Sequence, residues 1–401
     1  MRRVAITGLG PVSSIGVGAR AFAAALRAGR SGISEISAFD ATGFLHRRAG
    51  EVTGFAPGDL LERLDPARWG RTSLFAAASA RLAVRDSGID PDRLTGTASG
   101  SVFGTTGGES RVVELLTEQV VAAGFPALNP AEVAAVPAER ISAAVNAELG
   151  LTGECLTLST ACSASNYALG HAYDLVACGE QDHVVAGGAD SVARWVHAGF
   201  SRLGAVTGLA CAPFDRDRSG ILTGEGGAAL FVESLDSARA RGARIYAEVL
   251  GYGLNCDAEH MVAPNAESIA ECMRLAHRNA GISASDVDYI CAHGTGTPAN
   301  DLVEARAVHA VFGAEPPPIS SIKSMLGHTM GAASGFGAIA AVLGIAEGFI
   351  PPTINFQEPD PALGGIDPVP NVARAARLDV VQNNGFAFGG NNAIAVLGRV
   401  A

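Results

Sequence analysis

The stretch RLAVRDSGI, residues 81–89, returns as RLAHRNAGI at residues 274–282, identical at six of nine positions. Each copy ends a helical pattern on a glycine, the common stop just past a helix C-terminus. Each is followed by an apolar run that opens into Gly and Thr, SVFGTTGG at 101–108 and ICAHGTGT at 290–297. The strands that lead the two series also pair: VAITGLGPV at 4–12 and YAEVLGYGL at 246–254 both carry Gly-x-Gly. A helix and its following strand that recur in the same order predict an internal duplication. Two similar halves, residues 1–242 and 243–401, are expected to pack about a pseudo-twofold axis, with a site where they meet.

Strand and helix patterns alternate through the rest of the chain. AERISAAVNAELG at 138–150 reads as helix and QDHVVAGGADS at 181–191 as a buried strand. This alternation predicts an α/β fold with largely parallel strands. The apolar run MGAASGFGAIAAVLGIA at 330–346 is rich in Gly and Ala and reads as a buried central helix rather than a membrane span. MRRVAITGLGPV at the start resembles a signal peptide, but Gly8, Gly10 and Pro11 break it early, so it reads as a first core strand.

The bulk numbers narrow the function. The chain has 401 residues, 48% of them hydrophobic, and a net charge of −11. No basic run or basic-aromatic interleaving appears, so nucleic acid is not an expected partner. Seven cysteines, an odd number without CxxC, argue against a disulfide framework or a zinc site and for the reducing cytoplasm. No P-loop occurs, and GLGPVSSIG at 8–16 lacks the third glycine of a dinucleotide fingerprint.

Four stretches carry residues able to do chemistry. In LTLSTACSASNYALG, 156–170, Cys162 stands at the joint of a strand and a helix. Unpaired N–H groups and the helix dipole favour a thiolate there, and a thiolate is a useful acyl-transfer nucleophile. A small buried packing cysteine has the same signature. In CAHGTGTPAND, 291–301, His293 leaves a buried strand for a loop whose Thr295 and Thr297 offer hydroxyls. Asp301 is placed to cap the helix that follows. In SSIKSMLGHTMGAASG, 320–335, Lys323 enters an apolar region and His328 precedes the central helix. NNGFAFGGNNAIAVLG, 383–398, is a hairpin whose FGG loop can also present N–H groups to an oxyanion.

Taken in order, TACSAS, HGTGTPAND, KSMLGHTMGAASG and FAFGGNN resemble the β-ketoacyl-[acyl-carrier-protein] synthases of the condensing-enzyme (thiolase-like) superfamily, over essentially the whole chain. The resemblance implies a duplicated five-layer αβαβα fold, usually dimeric. It implies Cys162 as acyl-carrying nucleophile, His293 and His328 as the catalytic pair, and Lys323 as the residue that orders the site. The backbone N–H groups of Cys162 and Phe388 would form the oxyanion hole. Thr295, Thr297, Phe386, Phe388 and Gly389 would line the path of acyl chain and phosphopantetheine, with Phe388 as gate. Gly107 matches a pocket position at the dimer interface. The implied reaction is decarboxylative condensation of a malonyl thioester with the acyl chain on Cys162, in fatty-acid or type II polyketide synthesis, and the resemblance implies no metal or organic cofactor for it. The implied partners are an acyl carrier protein, with Arg63, Arg68 and Arg71 as candidate docking residues, and a second chain, identical or of the chain-length-factor type. A second reading makes this chain itself the non-catalytic factor, although such factors typically lack the cysteine.

The sequence departs from the family pattern in three places. Gly337 stands nine residues after His328, where a Glu is usual. The segment 204–220 before the PFD element is short, and the gate reads FAFGGNN, with Ala387 and Asn391 replacing Gly and Thr. These point to a specialised branch.

Overall fold

A computed structural model describes residues 1–95 and 97–400. Ten strands form one continuous path: β1 Val4–Ser13, β2 Ser99–Gly104, β3 Cys155–Leu158, β4 His183–Asp190, β5 Gly226–Ser234, β6 Ala247–Cys256, β7 Tyr289–Cys291, β8 Ile319–Ser320, β9 Val380–Phe386 and β10 Asn391–Gly398. Their order is β8-β7-β9-β10-β6-β1-β5-β4-β2-β3. The order is a palindrome in which each strand of the first half mirrors one of the second. The two halves join where β1 pairs antiparallel with β6, Val4 opposite Val249 and Ile6 opposite Ala247.

The duplication expected from the repeated nonapeptide is thus present in the topology. The expectation of a largely parallel sheet is corrected. Only the outer three strands of each half run parallel. The inner strands β1, β5, β6 and β10 are antiparallel to their neighbours. Strand-helix alternation alone does not distinguish the two, because a helix-bearing connection can also return a chain beside its neighbour in the opposite sense.

The helices complete five layers. The repeated nonapeptides lie at the ends of α1, Arg71–Ser87, and α5, Ala266–Ala280, both closed by a left-handed glycine, Gly88 and Gly281. These cover the outer faces. Helix α2, Arg140–Leu149, packs beside α1. Between the sheet halves lie α3, Ala164–Cys178, and α7, Ala333–Glu347. Both central helices are 15 residues long and are entered through a 3₁₀ turn, Ala161–Ser163 and Met330–Ala332. Both turns begin on a non-glycine residue at positive φ, 49° at Ala161 and 52° at Met330. The duplication therefore reaches the two elbows that carry Cys162 and follow His328. Residues 330–347 have the length and hydropathy of a membrane span, but 89% of that segment is buried inside the protein.

The Gly-x-Gly pairs explain how close the layers come. A Cβ at Gly8 or Gly10 would fall on the backbone carbonyls of Ala83 or Ser79 in α1. A Cβ at Gly251 would fall on the Ala280 backbone nitrogen, and one at Gly253 on the Cys272 carbonyl, both in α5. The glycines are needed because helix backbone, not side chain, occupies the space beside the strand. A Gly10→Ala variant is expected to lose about 2 kcal/mol or more of unfolding free energy by overpacking. Gly58→Ala, with nothing within 4 Å of the added carbon, should change it by less than about 0.5 kcal/mol. Urea unfolding of both variants measures the difference.

Candidate active site

Strand β3 stops at Leu158, and the strained Ala161 lifts Cys162 into the turn before α3. Cys162 is buried, with 5% of the residue exposed. Its sulfur faces the backbone N–H groups of Cys162 itself and of Phe388. Phe388 comes from the turn between β9 and β10, where Gly389 and Gly390 hold φ of 84° and 81°. That turn is tied down by the Gly389 N–H, which donates to the Met261 carbonyl at 2.8 Å. The FGG segment is therefore a hairpin turn and also a donor aimed at the cysteine.

His293 follows β7 and is held through its backbone. Glu304, on helix α6 (Pro298–Phe312), accepts the N–H groups of His293 and Gly294 at 2.8 and 2.7 Å and the Asn384 amide at 2.9 Å. The Lys323 ammonium donates to the His293 carbonyl. His328 is held by both main-chain groups: its N–H donates to Leu222 at 2.6 Å and its carbonyl accepts Gly224 N–H at 2.9 Å. Its Nδ1 accepts the Met330 N–H at 3.0 Å. A nitrogen that accepts carries no proton, so Nε2 bears it and is the donor His328 presents. The two imidazoles lie 5.6 Å apart at 79°.

Burial and Lys323 hold both His293 and His328 well below the ordinary histidine pKa, so both are neutral. Burial also lowers Lys323, opposed chiefly by the Glu304 carboxylate. The thiol runs against the expectation that its helix lowers it: burial pushes Cys162 up to about 12, with Lys323 and the two N–H groups only partly opposing. The magnitudes explain the correction. A helix N-terminus contributes roughly 0.3–1 kcal/mol, less than one pKa unit. Full burial shifts a group by up to about 3–5 units. At rest the site holds a neutral thiol and two neutral imidazoles.

A cavity of about 310 Å³ brings together Cys162, His293, His328, Thr295, Thr297, Phe386 and Phe388. Its remaining walls are largely apolar, among them Leu203, Ile221, Val262 and Pro264. Lys323 stands behind His293 rather than on the wall. Thr295 and Thr297 pair through their hydroxyls at 2.9 Å, and Thr297, not Asp301, caps α6 by accepting the Asn300 N–H at 3.2 Å. Asp301 is instead fully buried and accepts the Phe214 N–H at 2.8 Å.

Other expected residues lie elsewhere. Gly107 is outside the cavity, and its N–H donates to Asp190 at 2.9 Å. Among the docking candidates, Arg63 and Arg68 are exposed. Arg71 is not available: it pairs with buried Glu225 at 2.5 Å and lies 4.6 Å over the Phe75 ring. Gly337 leaves room for Asn383, whose Oδ1 occupies the place of a side chain at 337. Among the described residues, no group of three or more His, Cys, Asp or Glu is arranged to hold a metal.

Three contributors escaped sequence reasoning. Glu304 fixes the His293 loop. Asp190 accepts the N–H groups of Thr106, Gly107 and Gly331, joining the loop after β2 in the first half to the turn before α7 in the second. Phe200 stacks on Phe388 at 5.7 Å and lies 6.4 Å from His328. A signal for Glu304 existed: Asp301, Glu304, Ala305 and Val308 share a buried helical face, an unusual place for two acids.

A raised thiol pKa predicts slow alkylation. In the free protein the Cys162 peptide should react with iodoacetamide far more slowly at pH 7 than exposed Cys178 or Cys256. Its rate should climb about tenfold per pH unit between pH 7 and 9 without a plateau. A plateau below pH 8, read by peptide mass spectrometry, would contradict the burial argument.

Comparison with known proteins agrees across the chain. Residues 1–238 match the family description "Beta-ketoacyl synthase, N-terminal domain", and residues 246–357 match "Beta-ketoacyl synthase, C-terminal domain". The 3-oxoacyl-[acyl-carrier-protein] synthase 2 of Coxiella burnetii is 37% identical over 410 residues, covering 100% of this chain and 99% of that one. Nodulation protein E of Rhizobium sp. is 36% identical, covering 100% of both chains. Among solved structures, "The ishigamide ketosynthase/chain length factor" superposes with a TM-score of 0.98 at 49% identity, covering both chains fully. A type II polyketide synthase carrier protein in complex with its ketosynthase bound to the hexaketide, AntDE:AntF, gives a TM-score of 0.91 at 30% identity, also with full coverage of both chains.

Proposed function

The chain belongs to the beta-ketoacyl synthase family, and from that premise we propose that it is an elongating acyltransferase that condenses malonyl-carrier thioester with an acyl chain held on Cys162. The observation that carries this reading is the convergence of one buried thiol, two neutral imidazoles and two backbone donors on a single apolar-walled cavity.

The chemistry follows from those groups. The Cys162 sulfur attacks the carbonyl carbon of an acyl thioester. Its proton leaves with the carrier's thiol, and the N–H groups of Cys162 and Phe388 hold the oxyanion between. One such donor is worth about 3 kcal/mol. A malonyl thioester then enters. The Nε2–H of His328, with His293 beside it, donates to the thioester oxygen. Loss of carbon dioxide leaves its electron pair in an enolate that neutral donors stabilise. The enolate carbon attacks the acyl group, the C–S bond to Cys162 breaks, the departing sulfur takes a proton from solvent to become the thiol again, and the product is a 3-ketoacyl thioester two carbons longer. No step calls for a metal or organic cofactor. Seven unpaired cysteines are in keeping with a cytoplasmic protein.

An acyl carrier protein is the partner this chemistry requires. We assign the chain the catalytic role in a pair with a second ketosynthase-fold chain, a chain-length factor or a second copy. The similarity to the ishigamide ketosynthase/chain length factor supports the first of these. An uncovered surface is in keeping with either partner: helix 110–123 fully buries only Ser110, while Leu115 and Val121 are exposed. Retention of Cys162 speaks against the non-catalytic reading.

Incubation with an acyl-carrier thioester should place a covalent acyl group on Cys162, seen by mass spectrometry and absent from Cys162→Ala. His293→Ala and His328→Ala should still load the acyl group but lose malonyl decarboxylation by about a hundredfold or more. Equal loss of loading in all three variants would refute the division of roles.

A further inference from the structure

Helix α4, Arg194–Arg202, carries a histidine that no step above uses. His197 has 0% exposure and sits against the rings of Phe44 and Phe39, at 4.9 and 6.0 Å. Its Nε2 lies 2.9 Å from the His46 carbonyl. A carbonyl only accepts, so Nε2 carries the proton. Its Nδ1, 3.1 Å from Thr223 Oγ1, therefore accepts from that hydroxyl. Burial lowers its pKa, which keeps the ring neutral and this tautomer in place.

Both ends of this contact lead to the cavity. Thr223 lies in the segment 222–224 that grips His328. The Leu222 carbonyl accepts the His328 N–H, the His328 carbonyl accepts the Gly224 N–H, and Thr223 and His328 form a parallel bridge. One helical turn beyond His197, Phe200 packs against His328 and Phe388. A single imidazole thus ties together the segment that fixes His328, the helix that carries Phe200, and the loop at His46. A hydrocarbon of the same volume would fill the space, but it would leave the His46 carbonyl without this partner and the Thr223 hydroxyl free to turn.

Resting on the condensing-enzyme reading above, we propose that His197 is a positioning residue for the condensation, holding the His328 imidazole and the Phe200 wall in register through Thr223. Displacement of a catalytic group by about 1 Å costs on the order of a hundredfold in rate. Loosening one of several restraints on His328 is expected to cost on the order of tenfold.

The test compares His197→Leu, His197→Gln and Thr223→Val with the unmutated enzyme, using acyl-carrier and malonyl-carrier thioesters. Acyl loading of Cys162 and malonyl decarboxylation are measured separately. His197→Leu should lower decarboxylation kcat about tenfold while loading and the KM for malonyl-carrier change less than about threefold. His197→Gln, whose amide can still donate to the His46 carbonyl, should recover part of the loss. Thr223→Val should show the same split and should be non-additive with His197→Leu. If His197→Leu does not fold, Thr223→Val carries the same comparison. Parallel loss of loading and decarboxylation, or no loss in either, overturns the proposal and leaves His197 a core residue. Failure of the unmutated enzyme to load Cys162 overturns the condensing-enzyme reading itself, and this proposal with it.

Discussion

Lys323 is an ammonium buried at 6% exposure and bound by a carbonyl, that of His293, rather than by a carboxylate. A charge in such a place is costly unless its surroundings compensate. Glu304 supplies the compensating carboxylate, and the same carboxylate accepts the two N–H groups that shape the His293 loop. The cation in turn depresses both histidines and partly opposes the burial of the thiol. Burial does most to keep every reacting group in the cavity neutral; the one buried charge reinforces it at the two histidines and opposes it at the thiol.

That charge is confined where the duplicated halves meet. Ser165 of α3 donates to the Gly331 carbonyl, and the Asn166 N–H donates to Ser334 Oγ of α7. Asn166 also bridges to Asn383 and Ala393 in the second half of the sheet. These bonds lock the N-terminal ends of the two central helices together, and Cys162 and His328 stand beside those ends. The equivalent elbows have diverged in use. In the first, the backbone N–H of Cys162 is turned toward its own sulfur. In the second, the N–H of Gly331 is taken by the internal carboxylate of Asp190 at 2.7 Å. Duplication offered two donor sites, and this chain's own acid fills one of them.

Much of this was legible in the sequence because it is local or repeated. The nonapeptide repeat disclosed the two halves, and the strand-helix joint singled out Cys162. The illegible parts are tertiary. Arg71 looked free because its partner, Glu225, lies 154 residues away. Asp301 looked like a cap because its real acceptor role depends on Phe214, 87 residues away. The tie that holds the Gly107 backbone is equally remote, because its N–H donates to Asp190, 83 residues away. The direction of the Cys162 shift was misread because a helix terminus is visible in sequence and the degree of burial is not.

The neutral thiol also explains why a protein with this cavity can hold a nucleophile behind phenylalanines. A permanent thiolate would need a permanent counter-charge, and the nearest candidates, His293 and His328, are kept neutral by burial and by the Lys323 charge beside them. Charge therefore has to develop on substrate rather than rest on sulfur. The N–H groups of Cys162 and Phe388 are fixed before any substrate arrives, so that charge meets oriented donors without reorganisation. The departure at 337, with Asn383 beside it, fits the same logic. A carboxylate at 337 would sit beside Cys291 and Asn383, adding a second negative charge to a site whose ammonium is already balanced by Glu304. With Gly337 and Asn383 the volume is filled by a neutral amide, and Glu304 is left as the main charge supporting Lys323.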